Sequence, residues 1–405
     1  MSPMAVKTRA APSRDTGSQK ALRERNIGLV MATLRAQGPR TQATLSRVTG
    51  LSTGTVSSIV RELEASGLVK TASAISSGRR SVEVSLAPDP RVVVGVDIGR
   101  THMRMLAWDA GRLPFGETLV SLQPGHEPTE TLPLAAEMLD DLLRANHIDR
   151  SRVLRCGVAL PASLEPATGR VVQASVLPNW AGLNLESALQ AALGLPVLLE
   201  NDANLGALAH FGSGRFAGAH SLIYVKVATG IGAGLVFDGK LYRSSSGITG
   251  EIGHISVVDN GEVCYCGNRG CLETVVSTRR IVGDLSRTRP GRSWDAAEVV
   301  KASSAGDLMV HRLLYDAGTA LGLAVAPMCN LLSPDVVVLG GPLARGGQPL
   351  LDGLIASVRQ RALPTATAGT TFALTQLDDD AEVQGACLLA LLDATREGDG
   401  LVSNR

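Results

Sequence analysis

Apolar positions in the first quarter of the chain recur at helical spacing. Ile27, Val30, Met31 and Leu34 fall on one face of a helix closed by Gln37-Gly38-Pro39. Thr41 is placed to cap a second short helix carrying Leu45 and Val48, which Gly50 ends. Ser52 is placed to cap a third, in which Val56, Ile59, Val60 and Leu63 repeat up to Gly67. Two short strands follow, over 68–72 and 81–86, joined by a turn over 75–80. Three helices and a two-stranded ribbon predict a winged helix-turn-helix over residues 19–87, preceded by a polar arm over 1–18 that is expected to be disordered. After the linker Ala87-Pro88-Asp89-Pro90 the pattern changes. Short apolar runs at 92–96, 154–160, 197–200, 222–227, 234–237 and 336–339 alternate with helical stretches such as 132–145. That alternation implies an α/β body with glycine-rich turns at strand ends, where ligands usually bind.

Length supports the same division, since 405 residues suffice for two or more domains with a sizeable core. The longest apolar region, 317–332, is interrupted by Gly318, Gly322 and Pro327 and reads as a core helix rather than a membrane span. No N-terminal run resembles a signal peptide, and Cys156, Cys329 and Cys387 stand alone in apolar contexts. The expectation is a cytoplasmic protein in a reducing setting, with no membrane partner. The overall net charge of +1 hides an asymmetry. Residues 1–85 hold 13 Lys and Arg against 5 Asp and Glu, a net of +8, and the remainder holds 26 against 33. A basic head on an acidic body points to a polyanionic partner for the head.

That head offers chemistry to match. The exposed face of the third helix carries Thr53, Thr55, Ser57, Ser58 and Arg61, short hydroxyls and a guanidinium suited to phosphates and base edges in a major groove. The wing tip carries Arg79 and Arg80, suited to a minor groove. The alternative is a winged helix used for protein contacts.

The body carries a metal signature in Gly250–Glu273. Cys264, Cys266 and Cys271 are spaced C-x-C-x4-C, ten residues after His254. Three thiolates and an imidazole are ligands that zinc prefers, and four protein ligands make a closed structural site, one Zn2+ per chain. Gly267 and Gly270 allow so short a loop to fold back. Three glycine turns accompany it: Asp97-Ile98-Gly99-Arg100-Thr101, Ala228-Thr229-Gly230-Ile231-Gly232-Ala233-Gly234, and Gly340-Gly341-Pro342. Such turns let main-chain N–H groups approach phosphate or sugar oxygens.

In this order, with the cysteine loop between the second and third turns, the chain from about Val92 onward resembles the ROK family of sugar kinases and transcriptional repressors. The carriers are the DIGRT turn at Asp97, Glu200-Asn201-Asp202-Ala203, the TGIGAG turn at Thr229, Gly250-Glu251-Ile252-Gly253-His254, Cys271-Leu272-Glu273 and Glu382-Val383-Gln384-Gly385-Ala386. The winged helix in front resembles that of the family's repressor branch.

The resemblance implies a two-lobed, actin-like or ribonuclease-H-like ATPase fold over 88–405. One lobe would span 91–202 plus a last helix over 382–394, the other 203–381. It also implies that Asn201, Asp202, Glu251, His254 and Glu273 contact sugar hydroxyls, which carboxylates and an amide match in bidentate fashion. Asp97, Gly99, Thr101, Thr229, Gly230 and Gly232 would remain from the phosphate turns. Asp202 matches the kinases' general base, and its alternative reading is a helix cap. Two departures weaken a kinase more than a sensor: Arg100 replaces a turn glycine and should crowd an approaching phosphate, and Pro161-Ala162 replaces a Pro-Gly turn.

The expected function is therefore a sugar-responsive regulator, most simply a repressor. It would bind operator DNA as a homo-dimer or tetramer and be released by a sugar or sugar phosphate, with no catalytic role. The rival is an ATP-dependent hexose kinase that also binds DNA. A third reading is a regulator answering to a phosphocarrier or membrane protein.

Overall fold

The computed structural model describes residues 23, 26–31, 33–34, 37–65, 69–76, 79–86, 91–109, 112, 114–165, 168–173, 176–377 and 380–396. The arm over 1–18, Gly67, Leu68, Gly78 and the linker 87–90 lie outside them, as do the side chains of Arg79 and Arg80. Backbone contacts divide the chain into one unit ending at Ala87 and another beginning at Pro88.

In the first unit Val30, Met31, Leu34, Leu45, Val56, Ile59, Val60 and Leu63 form a buried core. Thr41 caps Gln42–Thr49 by accepting from the Thr44 N–H, and Gly50 ends it at φ 73°. Ser52 accepts from the Thr55 N–H at 3.1 Å as Thr53–Ala65 begins. Val48 departs from expectation and is 47% exposed, because a helix this short turns only Leu45 inward. The wing is longer than its apolar pattern suggests. Val69–Ser76 pairs antiparallel with Arg79–Leu86 as far as Ser76↔Arg79, through the stretch expected to be a turn. Ladder hydrogen bonds join backbones and need no apolar side chains, so the pattern stops before the pairing does. A third strand, Arg40–Thr41, adds to the ribbon's other edge through Arg40↔Val84. Two residues are too few to show a period.

The second unit holds two five-stranded sheets. The first runs Val197–Asn201, Val153–Leu160, Val92–Ile98, His102–Asp109, Pro114–Ser121, with its first three strands parallel and the rest antiparallel. The second runs Lys240–Leu241, Ile231–Phe237, Ser221–Val227, Val336–Gly340, Thr371–Leu374. Every apolar run named from the sequence lies in a strand. The strands at 102–109, 114–121 and 371–374 were not foreseen, since residues such as Arg104 and Glu117 interrupt their apolar pattern. Pro128–Ala145 and Leu185–Leu193 pack into the core of the first sheet. The stretch 317–332 belongs to a 25-residue helix, Leu308–Leu332, buried against the second sheet. Among the described residues no helix is long and apolar enough to cross a membrane.

The last helix, Ala381–Arg396, returns to the first sheet and packs across Val92–Ile98 and Val153–Leu160. It approaches so closely that a Cβ at Gly157 would strike the carbonyl of Ala386, and one at Gly95 that of Val383. Backbone cannot yield as a side chain does. Gly157→Ala is therefore expected to destabilise this unit by about 3 kcal/mol, measured as a lowered urea midpoint. An unchanged midpoint would show that the helix can be displaced at little cost.

Candidate functional site

Both sheets end their strands at one cleft of about 940 Å³. Its walls include Asn201, Asp202, Glu251, His254 and Glu273 together with Asp97, Gly99, Thr101, Thr229, Gly230 and Gly232. Five separate stretches of sequence thus converge.

Asn201 closes the strand Val197–Asn201 and caps Asp202–Gly212, its Oδ1 accepting from the N–H groups of Ala203 (2.9 Å) and Asn204 (3.3 Å). The cap is therefore Asn201, and Asp202 is the first helical residue. Asp202 Oδ1 accepts from the Ala203 N–H at 2.8 Å, while Oδ2 accepts from Lys226 Nζ at 2.8 Å. Asn201 Nδ2 donates to the Ala162 carbonyl at 3.2 Å, which ties the cap to the Pro161-Ala162 turn.

The Gly250–His254 turn lies flush on the strand Ile231–Phe237. Gly250 has φ 74°, and a Cβ there would strike the Ala233 carbonyl; at Gly253 it would strike that of Ile231. Two glycines three residues apart press the turn down, and Glu251 and His254 line the cleft. Ser163 Oγ donates to Glu251 Oε1 at 2.6 Å. Glu273 follows Cys271 on the short helix Leu272–Val276, and its Oε2 accepts from the Ile231 N–H at 3.1 Å.

His254 faces two ways. Its Nδ1 lies 3.5 Å from Cys264 Sγ and its Nε2 lies 3.8 Å from Glu251 Oε2. Cys266 Sγ and Cys271 Sγ are 3.7 Å apart, and Cys271 Sγ lies 3.5 Å from the His254 carbonyl. Ligand atoms of His254, Cys264, Cys266 and Cys271 all fall within 4.8 Å of one another, a set that could hold a metal ion. All three thiols are free of disulfides. Positive φ at Gly267 (91°) and Gly270 (68°) turns the loop back, and the Cys264 N–H donates to the Asn268 carbonyl at 2.7 Å inside it.

The first turn differs from expectation. Arg100 is exposed; it lines the cleft but does not take the space above Gly99. The ring of His102 does, lying where a Cβ on Gly99 would go, with Nε2 2.9 Å from Asp97 Oδ2. Burial opposes ionisation of Asp97, yet the hydrogen bond and charge of His102, with Lys226 and Arg104 behind, hold it below the ordinary carboxylate range. Burial pushes His102 down in turn, and Asp97 outweighs it, so the imidazole sits above its usual value.

The second turn is also shorter than expected. The strand begins at Ile231, so Gly232 and Gly234 lie within it. Gly234 serves packing, since a Cβ would meet the Ala203 carbonyl, whereas Gly232 still lines the cleft.

Lys226, Glu382, His102 and Ser163 also line the cleft and were missed as site residues. A lysine ending an apolar strand was the one available signal. On the head, Thr53 and Arg61 are exposed and Thr55, Ser57 and Ser58 half-buried. Ser58 is engaged within the head, accepting from Arg23 Nη2 at 3.2 Å, and Thr55 Oγ1 lies 2.8 Å from Ser52 Oγ.

Residues 93–392 match the model of the ROK family, and residues 26–80 that of the MarR family. A xylose repressor of Caldicellulosiruptor bescii is 26% identical over 392 residues, covering 93% of this chain and 98% of that protein. A glucokinase of Halalkalibacterium halodurans is 32% identical over 311 residues, covering 73% and 93%. The crystal structure of a ROK family transcriptional regulator, a homolog of the E. coli MLC protein, superposes with a TM-score of 0.67 at 25% identity, covering 92% and 97%.

Proposed function

The chain belongs to the ROK family, and from that premise we propose that it is a sugar-responsive DNA-binding transcriptional regulator, most simply a repressor of carbohydrate-metabolism genes. The MarR-type head over 26–80 and the near full-length match to a xylose repressor support this reading. The head would bind operator DNA, with Thr53, Thr55, Ser57 and Arg61 on the recognition helix and Arg79 and Arg80 on the wing. Ser58, already held by Arg23, is the weakest member of that set. Paired heads on a two-fold operator require at least a homo-dimer.

The observation that carries the sugar reading is the double aspect of His254. One ring nitrogen faces the thiols and the other faces Glu251, its neighbour on the same cleft-lining turn. Tetrahedral zinc with sulfur ligands places the sulfurs about 3.8 Å apart, and imidazole nitrogen about 3.5 Å from sulfur. Cys266 and Cys271 at 3.7 Å, and His254 and Cys264 at 3.5 Å, fit that donor set. Zn2+ held by His254, Cys264, Cys266 and Cys271 would brace the loop and fix the imidazole tautomer. Asn201, Asp202, Glu251, His254 and Glu273 would then meet a ring of hydroxyls, and Ser163 would orient Glu251.

The kinase reading has one observation in its favour: Asp202 reaches the cleft in a chain 32% identical to a glucokinase. Against it, the first turn is occupied by the His102 ring. We expect sugar phosphorylation to be absent or vestigial.

Equilibrium binding to operator DNA, with and without a panel of hexoses, pentoses, amino sugars and their phosphates, tests the proposal beside an ATP-turnover assay. At least one sugar should weaken operator binding 10-fold or more, a coupling of about 1.4 kcal/mol. Insensitivity to the whole panel would turn attention to a protein partner. ATP-dependent phosphorylation abolished by Asp202→Ala would establish the kinase.

A further inference from the structure

Three carboxylates from three elements converge at the floor of the cleft: Asp97 at the end of Val92–Ile98, Asp202 at the start of Asp202–Gly212, and Glu382 at the start of Ala381–Arg396. Between them stands a single ammonium. Lys226 Nζ lies 2.8 Å from Asp202 Oδ2 and 3.1 Å from Glu382 Oε1, with its side chain only 15% exposed. Tyr224 leaves the same strand two residues earlier, on the same face, and its hydroxyl donates to Glu382 Oε1 at 3.2 Å. Burial alone would favour a neutral amine, yet the charges of Asp202, Glu382 and Asp97 push Lys226 well above its ordinary range and keep it cationic.

Converging carboxylates beside a glycine turn are the setting in which proteins hold Mg2+ or Mn2+ against nucleotide phosphates. We propose that Lys226 is a tethered cation occupying that place, so that this cleft accepts the uncharged hydroxyls of a sugar and excludes a metal–nucleotide. The inference rests on the sugar-binding reading and sharpens it. A divalent ion beside Asp202 and Glu382 would stand within a few ångströms of the ammonium, and like charges so close in a partly dry site repel strongly. Both oxygens of Asp202 are already engaged, by Lys226 and by the Ala203 N–H. A hydroxyl can still join them, because each carboxylate oxygen accepts twice and the ammonium keeps a third N–H to donate. A neutral ligand therefore adds to the network without displacing it.

The test is a Mn2+ titration of the full-length protein, with its cysteine site loaded with zinc, followed by the electron paramagnetic resonance of free Mn2+. Wild type and Lys226→Arg should show no saturable site at millimolar Mn2+, with or without ATP. Lys226→Met, which keeps the length of the side chain and removes its charge, should gain one site at least 10-fold tighter, lost again when Glu382→Gln is added. A saturable site in wild type overturns the proposal. So does a Lys226→Met protein that melts as wild type does and gains none. The wild-type arm decides even if the methionine variant does not fold. None of these results depends on whether sugar releases DNA, so failure here is separable from failure of the regulator reading.

Discussion

Cys266→Ser protein is expected to purify without zinc and to bind the effector sugar on the order of 100-fold more weakly. The size of the effect follows from connectivity. Cys271 immediately precedes the helix that carries Glu273, and the Leu272 N–H donates to the Ile255 carbonyl beside His254. Two proposed sugar ligands therefore hang on one short loop, and without the ion only the loop's own hydrogen bonds would hold the three thiols together. Cys266 is the half-buried member of the set, so serine there removes a ligand with little loss of packing. Elemental analysis should fall from one zinc per chain to none, and calorimetry should show the weakened sugar binding. Metal-free protein with undiminished affinity would mean that the loop positions Glu273 unaided.

The second large effect concerns DNA. Removing residues 1–87 should abolish operator binding while leaving sugar and metal binding intact, because the unit from Pro88 onward has cores of its own. Within the full chain the two DNA elements should separate by salt dependence. Thr55→Ala should weaken the operator more than random duplex if, as proposed, the hydroxyl at the start of the third helix reads bases. Replacing Arg79 and Arg80 together by alanine should weaken both, and flatten the dependence of log affinity on log salt by about 1 for each phosphate no longer neutralised. Operator binding retained without the head would end the DNA-binding reading. An unchanged salt slope would remove the wing from the interface.

What was legible in the sequence depended on whether a residue's role is carried by its immediate neighbours. The caps at Thr41 and Ser52, the helix end at Gly50 and the cysteine loop are short-range arrangements, and the folded chain has them where the pattern puts them. The converging motifs were legible because their order along the chain resembles a known family. Pairings made across the fold were not. Lys226 is a lone lysine at the end of an apolar strand until Asp202 and Glu382, 24 residues before it and 156 after it, are brought alongside. Arg100 was expected to obstruct the first turn because arginine is large; it does line the cleft, but the strand that follows also directs His102 inward, and that ring takes the space above Gly99. The glycines at 232 and 234 likewise read as a turn, although one lines the cleft and the other admits a helix backbone.

The docking of Ala381–Arg396 onto strands begun at Val92 has a consequence for how the protein is made. The head finds all its core partners within the first 87 residues and can fold soon after it leaves the ribosome. Pro128–Ala145 and Leu185–Leu193 can cover one face of the first sheet early, but the other face waits for Ala381–Arg396, almost three hundred residues after the head. A polypeptide interrupted anywhere in that interval, by a nonsense codon or a protease, would carry a complete head and no finished receptor. If such fragments could still pair on an operator they would hold it whatever sugar was present. Premature termination within the body would then give a dominant, uninducible form of the proposed regulator rather than simple loss of function.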